Sequence, residues 1–517
     1  MGNDGGITNA GNGSDAQGRV TLRFDVVIIG AGPGGYSTAL RAAELGRTVA
    51  LVERDATLGG TCLNRGCIPS KALITATHAI DTVRRAGELG VNATIDGIDY
   101  GRLRDYRLNT VDVMTKGLAG LLAHRRVVVF RGVASLGAGT GAAGAPVVHV
   151  APSPGLDAVL RSDKAGAAHE VAPEVDLVGG DVVVATGSAP KPLPGEPFRG
   201  SVMDSTAALE LDEFPSSAVI IGAGAIALEF ASMWSQAGTK VTLLIRKDRV
   251  LSAWDRRTGM TLTRELRRKG VDVVAHTAVS RIETSVNPGA TVHYMVAGED
   301  GERTVWADTA LVAIGRVPAT GDDWFAAAGL TLNPDGLVPT DPWGRTAVPH
   351  VWALGDITPG NALAHRAFEQ GITVAEAIAG LDPKPVDETT IPRVVFTSPE
   401  AASVGLTADE AQARDGIANV TETAFPMLSN ARMLMSGQTG SLQVVCGEYD
   451  DRPGVPVVLG VHIVSPIASD MIAEAEQLVG NRVPLSDAAR LVHPHPTFVE
   501  TLGEALLKAD GRPLHTR

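Results

Sequence analysis

Phe24-Asp25-Val26-Val27-Ile28-Ile29-Gly30-Ala31-Gly32-Pro33-Gly34-Gly35 carries a β-branched apolar run straight into a G-x-G-x-x-G turn. A helical pattern begins near Tyr36, so the stretch predicts a buried parallel strand, a tight turn and the helix of a βαβ unit. In such a turn Gly30 bends the chain, Gly32 lets backbone approach a pyrophosphate and Gly35 lets helix and strand pack closely. The helix N-terminus then supplies partial positive charge. Val49-Ala50-Leu51-Val52 is the next strand, and it ends on Glu53, 23 residues after Gly30. An acid there can hold both hydroxyls of an adenosine ribose. The glycines alone would equally describe a turn without a ligand.

The same device recurs 192 residues on, where Ala218-Val219-Ile220-Ile221 meets Gly222-Ala223-Gly224-Ala225-Ile226-Ala227 and a helix pattern runs through Glu229, Ala231 and Met233. Counting 23 residues from Gly222 lands on Ile245, followed by Arg246 and Lys247. No acid is present to bind a 2′-hydroxyl, and two cations stand where a 2′-phosphate would be attracted. This favours NADP(H) over NAD(H); the competing reading of Arg246, Lys247 and Arg249 is a solvated basic loop.

Between the second strand and the second turn lies Gly59-Gly60-Thr61-Cys62-Leu63-Asn64-Arg65-Gly66-Cys67-Ile68-Pro69-Ser70-Lys71. Five residues of regular helix would hold the two cysteines too far apart for a disulfide, so a ring requires a loop at Asn64-Arg65-Gly66. The pair follows the strand that ends in Glu53 and so lies at the cofactor edge of the first unit. Zinc would need four ligands, whereas the nearest further candidate is His78 and there is no second C-x-x-C. Two unpaired core cysteines are the plainer alternative. Near the end, His493-Pro494-His495-Pro496-Thr497-Phe498-Val499-Glu500 places a histidine five residues before a glutamate. A thiol is a poor nucleophile until deprotonated, and a histidine oriented by a carboxylate supplies the base. A helix-start cap or bridge is the alternative for that pair, and surface or hydrogen-bonded histidine is the expectation for His493.

Whole-chain properties bound the function. The 517 residues allow three or four domains. A net charge of −13 has the wrong sign for a phosphate-backbone binder, so nucleic acid is not the expected partner. No apolar run approaches the ~18 residues of a membrane span, so a soluble protein is expected. Three cysteines give no secreted-type disulfide framework and point to a reducing cytoplasm. Residues 1–22 are rich in Gly, Asn, Asp and Ser and are expected to be a disordered tail. Gly137 to Gly180, with Val147-Val148-His149-Val150, reads as a small antiparallel excursion. From Pro392 onward, alternating apolar segments at Leu442–Val445 and Val457–Val464 with helix patterns near 469–480 and 498–508 predict an α+β domain.

The cysteine stretch resembles the redox elbow of the class I flavoprotein pyridine nucleotide-disulfide oxidoreductases, and Cys-Ile-Pro-Ser-Lys-Ala-Leu is especially similar to the dihydrolipoyl dehydrogenases. Ala185-Thr186-Gly187-Ser188, Ala313-Ile314-Gly315-Arg316-Val317-Pro318, Leu354-Gly355-Asp356 and the C-terminal His-Pro-Thr-x-x-Glu resemble further landmarks, so the likeness runs from about residue 24 to the end. It implies an α/β fold of two Rossmann-like dinucleotide-binding domains plus a C-terminal α+β dimerisation domain. The implied divisions are 23–200 and 316–390 for FAD, 201–315 for NAD(P) and 391–517 for dimerisation. FAD is expected against Gly30, Gly32, Gly35, Glu53, Thr61, Gly132, Ala134, Thr186, Gly187, Asp356 and Ala364. NADP(H) or NAD(H) is expected against Gly222, Gly224, Ala227, Arg246, Lys247, Gly315 and Arg316.

The implied activity is electron transfer between a dithiol, a Cys62–Cys67 disulfide, FAD and the nicotinamide. Cys62 is then the interchange thiol, Cys67 the flavin-facing one, and Lys71 and Glu229 pair where hydride enters. His495 and Glu500 form a dyad that reaches the other subunit's cysteines in a homodimer. The substrate is a small dithiol or disulfide, including lipoyl groups on a carrier protein, with no metal. Three departures stand out. Ile245-Arg246-Lys247 and Ala227 resemble the NADPH-linked reductases, whereas dihydrolipoyl dehydrogenases usually carry an acid near Ile245 and use NAD. Ala225 replaces the tyrosine of glutathione reductases. The tail is too short for a lipoyl or metal-binding domain. The competing functions are an NADPH-dependent reductase of a low-molecular-weight disulfide and a non-catalytic flavoprotein scaffold in a multienzyme complex. The scaffold would predict loss of part of a relay that is present in full.

Overall fold

The computed structural model describes residues 19–140, 144–163, 168–284 and 289–516. The chain divides into two compact units. One comprises Met1–Ser70, Asp105–Ala189 and Arg316–Glu388; the other comprises Lys71–Arg104, Pro190–Gly315 and Thr389–Arg517.

In the first unit five parallel strands lie side by side in the order Val128–Arg131, Val49–Glu53, Val20–Ile29, Val175–Val184, Val351–Ala353. Their central residues, among them Val26, Ile28, Leu51 and Val183, have no exposed surface, which explains the unbroken apolar runs. Antiparallel strands Val133–Thr140, Pro146–Ala151, Val159–Ser162 and Ala168–Ala172 extend the same sheet, as the excursion predicts. The first strand starts earlier than expected. Val20, Thr21 and Leu22, assigned by sequence to the tail, pair with Val175, Asp176 and Leu177, and Val20 and Leu22 pack on the core beneath. The remainder of the tail, residues 1–18, lies outside the described residues.

The second unit holds a parallel sheet ordered Val202–Met203, Thr309–Val312, Ser217–Ile221, Lys240–Leu244, Asp272–Val274, and a three-stranded antiparallel sheet follows it in residues 277–307. A five-stranded antiparallel sheet is ordered Arg393–Val395, Glu400–Gly405, Val457–Ser465, Ser441–Tyr449, Ile417–Phe425. Helices Ala468–Gly480 and Glu500–Ala509 pack on it through a core that includes Ile463, Met471, Leu502 and Leu506.

The two parallel sheets repeat one local geometry. Gly30 N–H donates to Val52 O (2.8 Å) and Ala185 N–H to Ile29 O (2.9 Å); Gly222 N–H donates to Leu244 O (3.1 Å) and Ala313 N–H to Ile221 O (2.9 Å). Both glycines have positive φ, and an added Cβ would sit 2.4 Å from Ala185 O or 2.2 Å from Ala313 O. Each turn therefore crosses the end of a neighbouring parallel strand at backbone contact distance, which only glycine permits.

Candidate active site

At the first turn, helix Pro33–Glu44 opens with proline at its first position, behind Gly32, and no side chain caps it and no acid lies in its first turn. Its free N–H groups and dipole suit a pyrophosphate. Gly60 approaches the same turn so closely that an added Cβ would lie 2.7 Å from Gly32 Cα. Glu53 is buried, and its carboxylate accepts from Ala31 N–H and Asp55 N–H, each at 2.9 Å. Burial raises its pKa, against which those backbone donors pull. An uncapped N-terminus, a backbone cradle and a fixed acid at the strand end fit the adenosine and pyrophosphate of FAD.

The other residues expected around FAD lie in the same unit. Thr61 is in helix Gly60–Arg65, Gly132 N–H donates to Glu53 O (2.9 Å), and Ala134 pairs with Val150. Thr186 Oγ1 donates to Ala319 O (2.9 Å), Gly187 has φ +76°, and Ala364 opens helix Ala364–Ile378. Asp356 accepts from Ser188 Oγ at 2.5 Å. Arg316, expected at the nicotinamide nucleotide, is bonded to Ser188. Its Nε and Nη2 donate to Ser188 Oγ and Ser188 O, each at 2.7 Å. Strand Arg316–Pro318 pairs with Ser188–Pro190, so the guanidinium is taken up within that ribbon.

A Gly35→Ala variant tests this cradle, because its Cβ would lie 1.8 Å from Gly30 O. It is expected to be isolated with little bound flavin and a lowered Tm; wild-type flavin content per chain would contradict the assignment.

The cysteines sit on consecutive helices, Gly60–Arg65 and Cys67–Arg85, separated by Gly66 alone. Asn64 and Arg65, expected in a loop, are helical. Asn64 Nδ2 donates to Leu58 O and Gly60 O, both at 3.0 Å, and Arg65 pairs with Asp55 at 2.5 Å. Those anchors hold the helix to its last residue, and Gly66, at φ −142° and ψ −105°, turns the chain in one step. Both cysteines are partly exposed. Tyr36, which the sequence showed only as a helix residue, faces the charge of both. Its hydroxyl is pushed up to about 12, by burial first and then by Cys62 and Cys67, and its ring lies 5.6 Å from Phe368. A phenol held neutral beside the pair can donate to a sulfur.

In the second unit Lys71 Nζ donates to Glu229 Oε2 at 2.8 Å, while Glu229 Oε1 accepts from Phe396 N–H at 3.1 Å. Lys71 Nζ also lies 4.4 Å from the centre of the Phe396 ring. His495 Nδ1 lies 2.8 Å from Glu500 Oε2, which fixes the proton on Nδ1 and leaves Nε2 as the acceptor. The imidazole is 76% exposed and the glutamate 16%, so the ring is presented outward from a held carboxylate. Asn430 holds it, donating to Glu500 Oε1 (2.6 Å) and Thr497 O (2.9 Å).

His493 is engaged separately. Its Nε2 lies 2.9 Å from Glu474 Oε1, and that bond raises its pKa. A raised folded value gives stability that is complete below the unfolded pKa and lost as pH rises through the folded one. Glu474→Gln is therefore expected to lower Tm more at about pH 6 than at about pH 9; equal losses would contradict the pairing.

At the second turn, helix Ala225–Ala237 starts behind Gly224 with neither a side-chain cap nor a first-turn acid, and Gly224 and Gly315 have open space where a Cβ would stand. Ala227 is buried against Gly222. Ile245 is fully buried, whereas Arg246 and Lys247 are exposed. Arg249 is engaged with Asp248 at 3.0 Å and with Ser252 O at 3.3 Å.

The family description "Pyridine nucleotide-disulphide oxidoreductase" matches residues 24–371, and its dimerisation domain matches residues 391–506. The chain belongs to that family. A dihydrolipoyl dehydrogenase of Geobacillus stearothermophilus is 37% identical over 503 residues, covering 96% of this chain and 98% of its own length. One from Halobacterium salinarum is 37% identical over 502 residues, covering 96% and 99%. Among solved structures, LpdA from Mycobacterium tuberculosis aligns with a TM-score of 0.81 at 26% identity, covering 94% of this chain and 99% of its own. The protein is thus an FAD- and nicotinamide nucleotide-dependent disulfide oxidoreductase, with two Rossmann-like dinucleotide-binding domains and a C-terminal dimerisation domain. Among the described residues no helix is long and apolar enough to cross a membrane.

Proposed function

We propose that the chain is a dihydrolipoyl dehydrogenase acting as a homodimer in the cytoplasm, with residues 23–200 and 316–390 binding FAD, 201–315 the nicotinamide nucleotide and 391–517 forming the dimer. The observation that carries this reading is the one-residue break at Gly66, which sets two partly exposed cysteines on successive helices in a chain whose full-length relatives are dihydrolipoyl dehydrogenases.

In the oxidised enzyme Cys62 and Cys67 share a disulfide. His495 Nε2 takes the proton of a substrate thiol, free or in a lipoyl group on a carrier protein, and the thiolate attacks Cys62 Sγ. The Cys62–Cys67 bond breaks and Cys67 leaves as a thiolate. The second substrate thiol then displaces Cys62, so the substrate gains a disulfide and the enzyme holds two reduced cysteines. Glu500 keeps the imidazole in the accepting tautomer and stabilises its cation, and the dyad of one copy serves the cysteines of the other. FAD, held at the Gly30–Gly35 turn and Glu53, would supply the redox group between this electron pair and the nicotinamide. Lys71 and Glu229 keep the hydride-entry role that the family resemblance implies.

A second reading, the NADPH-driven reduction of a small disulfide, draws on one observation: Arg246 and Lys247 are exposed and Ile245 leaves no acid beside them. The two readings are separated by kcat/KM for NAD and NADP with dihydrolipoamide, and for NADH and NADPH with lipoamide. Efficient turnover with NAD supports the dehydrogenase; strong NADPH preference with poor lipoamide turnover overturns it. If the cations hold a 2′-phosphate, replacing both with alanine raises KM for NADPH by ~10- to 100-fold and leaves KM for NADH within ~2-fold. Equal effects on the two nucleotides would return them to a surface loop.

A further inference from the structure

Apart from the residues assigned to dithiol chemistry, the second unit carries a cavity of about 850 Å³ between helix Arg256–Arg268 and the neighbouring ends of strands Ile417–Phe425 and Ser441–Tyr449. Six cations line it, Arg249, Arg256, Arg257, Arg264, Arg267 and Lys508, against a single acid, Asp248. In a chain of net charge −13 this concentration runs against the overall balance.

The nearby acids do not neutralise it. Asp248 is shared by Arg249 at 3.0 Å and Arg256 at 3.8 Å. Asp255 is buried and caps the helix, accepting from Thr258 N–H and Thr258 Oγ1. Glu265 is buried and bonded to Arg268 and Thr439. Glu422 interacts with Arg257, but burial shifts its pKa upward, toward the uncharged form. Arg249, besides its pair with Asp248, reaches Ser252 O (3.3 Å), and two further cations are positioned by neutral carbonyls alone, Arg267 by Val273 O (3.1 Å) and Lys508 by Ala424 O (3.2 Å). These bonds fix the side chains without cancelling charge. Arg249 Nε is buried and has no hydrogen-bond partner among the described residues. Arg257 and Arg264 lie on one face of the helix, two turns apart, and are exposed.

The remaining lining mixes polar groups, Thr261, Thr263, Ser441 and Gln443, with an apolar strip. Met260, 52% exposed, stands on the same helix, opposite Phe425 and Pro426. The volume falls in the range of pockets that enclose nucleotide-sized ligands and exceeds what a simple inorganic anion fills. Arginine forks match phosphate oxygens in pairs, and an apolar shelf beside them suits a ring system. We propose that this cavity binds a multiply phosphorylated, nucleotide-sized organic anion, at a site separate from the second glycine turn and its Arg246 and Lys247.

The test is calorimetric titration of ATP into the FAD-loaded enzyme, with adenosine and a polyglutamate peptide as comparisons. ATP is expected to bind saturably, adenosine not to bind, and the Arg257→Glu/Arg264→Glu enzyme to bind ATP at least ~10-fold more weakly with unchanged kcat for dihydrolipoamide and NAD. The neutral Arg257→Gln/Arg264→Gln pair gives an intermediate loss and covers the case in which charge reversal disturbs folding. Arg246→Ala/Lys247→Ala should leave ATP affinity unchanged. Absence of saturable ATP binding, loss of it only in the Arg246/Lys247 variant, or binding of polyglutamate but not ATP would each overturn the assignment.

Discussion

A Cys67→Ser enzyme is expected to lose at least ~10³-fold of its kcat with dihydrolipoamide while keeping its visible flavin absorbance. The serine has nearly the same size and sits at the first position of helix Cys67–Arg85, so the fold and the glycine cradle should survive. What disappears is the sulfur that leaves as thiolate when Cys62 is attacked and that passes the electron pair on. Cys62→Ser should be equally inactive toward the dithiol. Cys446, by contrast, is buried in the antiparallel-sheet core, and burial pushes its thiol up to about 12. Its replacement by alanine should leave kcat near wild type. Retained dithiol turnover in Cys67→Ser would remove the relay from the account.

The second large effect belongs to His495. Loss of a positioned general base typically costs ~10²- to 10⁴-fold, and His495→Gln is expected to fall in that range for dihydrolipoamide oxidation. Asn430→Ala should give a smaller loss, since Glu500 would keep His495 but lose its own anchor. Wild-type turnover of dihydrolipoamide in His495→Gln would assign the base elsewhere.

The parts of this architecture that were legible in sequence are those dictated by short-range rules. Val26–Gly35 and Ala218–Gly224 show their strands and turns because a parallel strand buried on both faces must be continuously apolar, and because a turn against Ala185 O or Ala313 O leaves no room for a Cβ. The His495–Glu500 pair was legible for the same reason, five residues apart at a helix start. What escaped depends on distant partners. Asn430 reaches Glu500 from 70 residues away, and Phe396 meets Glu229 from 167. Tyr36 reads as an ordinary helix residue until the Gly66 break brings two sulfurs to its side. The loop expected at Asn64-Arg65-Gly66 contracted to one glycine because Asn64 finds carbonyls and Arg65 finds Asp55. Arg257 and Arg264 look like the solvated face of an amphipathic helix, and only the strands opposite turn that face into a cavity.

Reduction of a Cys62–Cys67 disulfide by a dithiol changes the number of free thiols. Thiol titration of the denatured protein, before and after anaerobic reaction with dihydrolipoamide, tests it most directly, since the chain has only three cysteines. One titratable thiol per chain, Cys446, is expected in the oxidised enzyme and all three after reduction, with Cys62 and Cys67 newly labelled by mass spectrometry. Three thiols before and after would show that these cysteines carry no redox cycle, and would contradict it.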